Sequence, residues 1–150
     1  MGLLGFGLRV MTNWNARGKT LGSMRRRLEQ AGTQLAQQYR AAPTSAANLE
    51  RARHIIGIER WGQARLRTLL GVPAQHVEYD NYRPDEVDTM AALGDALAAT
   101  RAETLALVDS LQAANKANAT VRHNDLGELD VIHWLVYLND HANRESMLIR

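Results

Sequence analysis

Four stretches of this chain space their apolar side chains at three- and four-residue intervals, and glycine or proline cuts each from the next. That spacing is the period of an α-helix. The first stretch runs from about Thr20 to Ala41, with Leu21, Met24, Leu28, Leu35 and Tyr39 along one side. It stops before Pro43, whose ring disfavours helical geometry in the residue ahead of it. The second leaves a cap region at Thr44 and Ser45 and reaches Leu70, where Gly71 and Pro73 end it. Its Ile55, Ile56, Ile58, Trp61, Leu66 and Leu69 cover more than half a face. The third opens at Asp85 behind Pro84, with Asp88 imitating a capping box, and carries Met90, Leu93, Leu97, Thr104, Val108 and Leu111. The fourth follows Asp130, a good N-cap type, and runs to Arg150. Helices of roughly 20 to 27 residues with one apolar stripe each must bury those stripes against one another. The reading is an all-α chain, a four-helix bundle. Its connections at 72–84 and 112–129 are too long for plain up-down-up-down topology.

Composition narrows the class. A chain of 150 residues, 45% apolar and 23% charged, has the make-up of an ordinary soluble globular protein with one core. Residues 1–19 stand apart as an N-terminal arm, frayed or packed on a partner, and 20–150 form the bundle domain. The start, MGLLGFGLRVM, has neither a basic lead nor a small-residue cleavage site, so it does not read as a signal peptide. Phe6 stands where myristoylation needs serine or threonine. No stretch approaches the ~20 apolar residues of a membrane span, and no membrane partner is expected. The chain has no cysteine, which excludes disulfides, thiolate nucleophiles and Cys-ligated zinc and fits a reducing compartment. A cytoplasmic protein is the expectation. The net charge of +2 is small, and the run Arg25–Arg26–Arg27 is short with no aromatic interleaving. No nucleic-acid partner is expected.

The last segment breaks its own pattern. The stripe Val131, Trp134/Leu135, Leu138 continues into His141, Glu145 and Leu148/Ile149. A histidine and a carboxylate thus lie one turn apart and ~40° around the helix, where aliphatic side chains are due. An ionised carboxylate is not buried without a partner, a proton or a metal. A plain account exists for each. His141 can be a hydrogen-bonded histidine at the core edge, and Glu145 can pair with Arg51, Arg53, Arg60 or Arg65. His54 lies at the edge of the second stripe, in line with Ile58 and Trp61. Glu59 sits ~140° from His54, so one metal could hardly use both from a regular helix, and it reads as a supporting or ion-paired carboxylate. His133 is a capping or surface residue, while His76 and His123 are loop residues. Trp61, Trp134, Met90 and Met147 read as core. Phosphate loops and paired Glu-x-x-His repeats are absent.

Two segments, HIIGIERWGQARLRTLLG at 54–71 and HNDLGELDVIHWLVYLNDHANRE at 123–145, resemble the corresponding helices of the DinB-like superfamily. These are metal-binding four-helix bundles that include mycothiol-dependent maleylpyruvate isomerases and bacillithiol S-transferases. The similarity covers about residues 20 to 150. In that family one histidine of the second helix and two of the last, spaced His-x-x-x-His, hold the metal. The resemblance therefore implies His54, His141 and the residue at 145 as ligands, and here that residue is Glu145. Two histidines and a carboxylate suit zinc, nickel or iron(II). It also implies a metal-dependent thiol S-transferase or hydrolase acting on a small molecule. With no cysteine in the chain, the thiol would be an exogenous low-molecular-weight cofactor. Tyr79, Tyr82 and Arg83, in the 72–84 connection, would shape the mouth. The alternative is a metal-free, non-catalytic oligomeric module. The broad apolar second helix and the arm motivate that alternative, since surplus apolar surface is commonly buried in a dimer, and a homodimer is the expected assembly.

Overall fold

The computed structural model describes residues 2–150, which form five α-helices and a two-stranded antiparallel sheet. In chain order these are α1 (Leu3–Ala16), α2 (Leu21–Ala41), α3 (Ala46–Arg67), α4 (Met90–Ala113), β1 (Thr120–His123), β2 (Gly127–Asp130) and α5 (Val131–Ser146). Short 3-10 turns at Thr68–Leu70 and Tyr79–Tyr82 interrupt the long connection between α3 and α4. The four expected segments are α2 to α5. The arm is an additional helix, and the second long connection contains a hairpin.

Caps set the helix starts. Thr20 and Ser23 exchange hydrogen bonds between side chain and backbone amide, a complete capping box on α2. Ser45 and Asp130 likewise accept from Asn48 N and His133 N at the heads of α3 and α5. Helix α4 begins five residues later than the Pro84–Asp85 signal suggests. The Asp85 carboxylate is taken by Arg83 Nε at 3.0 Å, while Thr89 caps Ala92 N and Thr44 Oγ1 accepts from Met90 N.

The apolar stripes meet in two clusters. One gathers Leu28, Trp61, Leu111, Leu126, Trp134 and Leu135. The other gathers Tyr39, Ile55, Ile56, Met90, Leu97 and Ile149. Helices α3 and α5 come close where Gly62 meets Leu138, whose Cδ atoms lie 2.7 and 2.8 Å from where a Cβ would stand. Met147, expected in the core, is exposed, because α5 ends at Ser146 and the chain leaves its helical path.

The hairpin was invisible to periodicity. Its strands have four residues each, paired in the register Thr120↔Asp130 to His123↔Gly127. His123 is buried, not a solvated loop residue. Its Nδ1 accepts from Asp125 N and Leu126 N at 3.1 and 3.3 Å, closing the turn from within. Gly127 follows at φ +77, a left-handed conformation that glycine adopts without strain.

Candidate functional site

The close packing of α3 on α5 brings His54 and His141 together, with ring centres 5.2 Å apart and planes tilted by 60°. Tyr79, from the 3-10 turn, stands edge-on to His54 at 5.5 Å. Tyr137, one turn before His141 on α5, lies 5.9 Å from its ring. Gly57 lets this turn press onto α3: a Cβ there would lie 2.8 Å from Arg83 Cγ and 3.3 Å from the Tyr79 carbonyl oxygen.

Both imidazoles are held neutral. Burial, then the nearby charge of His54, pushes His141 down to about 3. Burial also lowers His54, which is partly buried, although the Glu145 charge pulls the other way. The Tyr137 hydroxyl is pushed up to about 12, chiefly by burial. His141 Nδ1 is buried and has no hydrogen-bond partner. His123 Nε2 is likewise unpartnered, but its ring neighbours are Trp61, Trp134 and Tyr137, with no second imidazole beside it.

Glu145 continues the same face of α5, but its carboxylate is engaged. Arg51 Nη1 donates to Oε2 at 2.7 Å, and Arg144 Nε lies 3.8 Å from Oε1. Of the four arginines that sequence offered as partners, Arg51 is one turn from His54 on α3 and so faces the same cleft. Among the described residues, no three His, Cys, Asp or Glu side chains converge closely enough to hold one metal ion.

The fit to a divalent ion therefore rests on two imidazoles. Two histidines bound to one tetrahedral zinc, with Zn–N of about 2.0–2.1 Å, put their ring centres roughly 5 Å apart. The observed separation has that size. Both rings are neutral, as ligands must be, and the orphaned Nδ1 marks unmet bonding capacity. Glu145 enters such a set only by exchanging Arg51. The separation of the pair is compatible with a shared ion, and the third donor, Glu145, is held by Arg51.

The remaining candidates divide. Glu59 lies on the far side of α3 and accepts from Arg101 Nε and Nη2 at 2.7 and 3.0 Å and from Thr104 Oγ1 at 2.7 Å. It serves the core, not the cleft. Arg83 forks onto Glu50 at 2.7 and 2.6 Å and holds that carboxyl below its usual range. Glu50, Arg51, His54 and Ala47 line an open hollow of about 270 Å³. Tyr82 sends its hydroxyl to Gln75 at 3.4 Å and packs against the core. Sequence reasoning passed over Arg51 as more than one of four partners, and over Glu50 and Tyr137 altogether. Tyr137 had a signal, since it precedes His141 by four residues on the same face.

A family model described as the DinB superfamily matches residues 20–144. No curated protein and no solved structure matches the chain.

Proposed function

The chain belongs to the DinB superfamily, and on that footing we propose that it binds one divalent metal ion, zinc, nickel or iron(II), through His54 and His141. Glu145 is the exchangeable third donor. The observation that carries this reading is the unpartnered, buried Nδ1 of His141 beside a second neutral imidazole at 5.2 Å. Bound there, the ion supplies Lewis acidity to a water or to an exogenous low-molecular-weight thiol, the chemistry of a hydrolase or a thiol S-transferase. The chain's own residues supply the rest. Burial keeps both rings deprotonated at neutral pH. Arg51 neutralises Glu145 until a cation competes for it. Tyr79 holds the His54 ring edge-on, and the Arg83–Glu50 fork braces the segment that borders the hollow.

A second reading is favoured by the Arg51–Glu145 pair at 2.7 Å. There Arg51 is a permanent counter-ion and the cleft a metal-free binding surface of a non-catalytic module. Metal analysis of untagged protein, followed by titration with zinc, nickel and iron(II), separates the two. The metal reading expects one equivalent per chain, lost in His54→Ala and His141→Ala. It also expects tighter binding in Arg51→Ala, because Glu145 is released, and weaker binding in Glu145→Ala. A wild type that takes up none of the three metals, with Arg51→Ala no better, leaves the second reading.

A further inference from the structure

Helix α1 is turned inside out. The residues it buries are Gly5, Thr12 and Ala16, and polar ties secure that face. Arg9 donates to the Leu126 carbonyl, and Asn15 Nδ2 donates to Asp140 at 2.6 Å. Leu8 packs against the core, but most of the helix's large apolar side chains face outward: Leu3 is 93% exposed, Leu4 87%, Phe6 63% and Trp14 69%. At 100° per residue, Leu3, Val10 and Trp14 fall within ~40° of one line, with Phe6 on one flank and Leu4 and Met11 on the other. An apolar stripe this ordered and this exposed needs a low-dielectric partner. The family match begins at residue 20, so α1 lies outside the segment that defines the family.

Charge identifies that partner. All sixteen carboxylates of the chain lie beyond residue 28, while Arg9, Arg17, Lys19, Arg25, Arg26 and Arg27 precede it. Arg25 is paired with Asp109. Arg17, Lys19, Arg26 and Arg27 have no carboxylate partner among the described residues. Arg17 lies over the Trp14 ring at 4.8 Å. Trp14, Arg17, Lys19 and Arg27 line one recess of about 270 Å³ at the end of α1, where three cations outnumber the single carboxylate of Asp140. An aromatic ring at the border of an apolar stripe, followed by free cations, matches the two layers of an anionic bilayer surface. A twofold dimer through this face would set the same cations against themselves.

We propose that α1 docks the protein on an anionic membrane surface, with Leu3, Val10 and Trp14 at the acyl boundary and Arg17, Lys19 and Arg27 among lipid phosphates. Among the described residues no helix is long and apolar enough to cross a membrane, and α1 would lie on the surface instead of spanning it. The absence of a span, which underlay the expectation of no membrane partner, does not bear on this mode. The site is separate from the His54–His141 cleft and does not depend on metal.

The test is co-sedimentation of the full-length protein with phosphatidylcholine vesicles, with and without phosphatidylserine, across a salt series. Binding is expected only with phosphatidylserine, weakening as salt rises. Leu3→Gln/Trp14→Gln and Arg17→Glu/Lys19→Glu/Arg27→Glu should each reduce partitioning about tenfold or more, with unchanged helical circular dichroism. Failure of the wild type to bind phosphatidylserine vesicles overturns the proposal, as does equal binding to both vesicle types. Sedimentation showing a dimer that Leu3→Gln/Trp14→Gln dissociates, without vesicle binding, assigns the stripe to a second copy instead.

Discussion

Arg101 reaches into the bundle from α4, donates to both oxygens of Glu59 through Nε and Nη2, and donates through Nη1 to the Leu28 carbonyl at 2.6 Å. Both side chains are almost wholly buried, and Gly32 makes room, since a Cβ there would lie 2.5 Å from Arg101 Cγ. Removing one partner strands a charge in the core. Arg101→Met should lower unfolding free energy in urea by roughly 3–5 kcal/mol, and adding Glu59→Leu should recover much of it. Two losses that simply add would refute the pairing argument. His123 gives a second test. Burial holds its folded-state value at about 4, against roughly 6.5 for an unfolded histidine. Between those values only the unfolded chain takes the proton. The His123 contribution is therefore whole above about pH 6.5 and is lost as pH falls toward about 4. His123→Asn keeps an acceptor for the turn amides without the titration. Its stability should fall less steeply between about pH 7 and about pH 5, and a slope equal to wild type's would count against the assignment. Residual slope is expected from His141, held down to about 3.

Among the elements, those read from periodicity and caps were legible to within a few residues. The 3.6-residue pattern and the Thr20, Ser45 and Asp130 caps are local properties of α2, α3 and α5. Helix α4 was misplaced at its start because an ion pair between Arg83 and Asp85, formed across a turn, removed the expected cap. The hairpin escaped because strands of four residues owe their order to burial of His123, Leu126 and Leu129, not to their own sequence. Helix contacts make a paired prediction. A Cβ at Gly94 would meet the Ala36 carbonyl oxygen at 2.8 Å, and backbone cannot step aside cheaply, so Gly94→Ala should cost about 1–3 kcal/mol. At Gly22 the nearest atom lies 3.8 Å away, so Gly22→Ala should add about 0.5–1 kcal/mol. Thermal melts of the two variants should move in opposite directions.

For the whole molecule, stability and association draw on different surfaces. The two core clusters are built mainly by α2 to α5 and the hairpin, joined by Ala16 and Leu8 of α1, whereas Leu3, Leu4, Phe6, Val10 and Trp14 face outward. Leu4→Gln should therefore leave unfolding free energy within about 0.5 kcal/mol of wild type while reducing vesicle binding. A large loss of stability would mean that α1 packs through Leu4 after all. The charge is likewise divided, with every carboxylate beyond residue 28. The near-neutral total concealed this polarity, which appears only when charge is counted by position and joined to exposure.

Local chemistry settled what a single stretch of chain can decide: which segments coil, where most of them begin, and that a histidine and a carboxylate interrupt the last stripe. The superfamily was legible for the same reason, since its motifs are runs of neighbouring residues, and His54 and His141 were singled out that way. Which arginine takes Glu145, whether Glu59 faces the cleft or the core, and which side of α1 meets solvent depend on distances between elements far apart in the chain. Those distances follow from how the stripes interlock at contacts such as Gly62 against Leu138. No one stripe carries that information, because the energy of a buried ion pair or an exposed apolar face belongs to two surfaces at once.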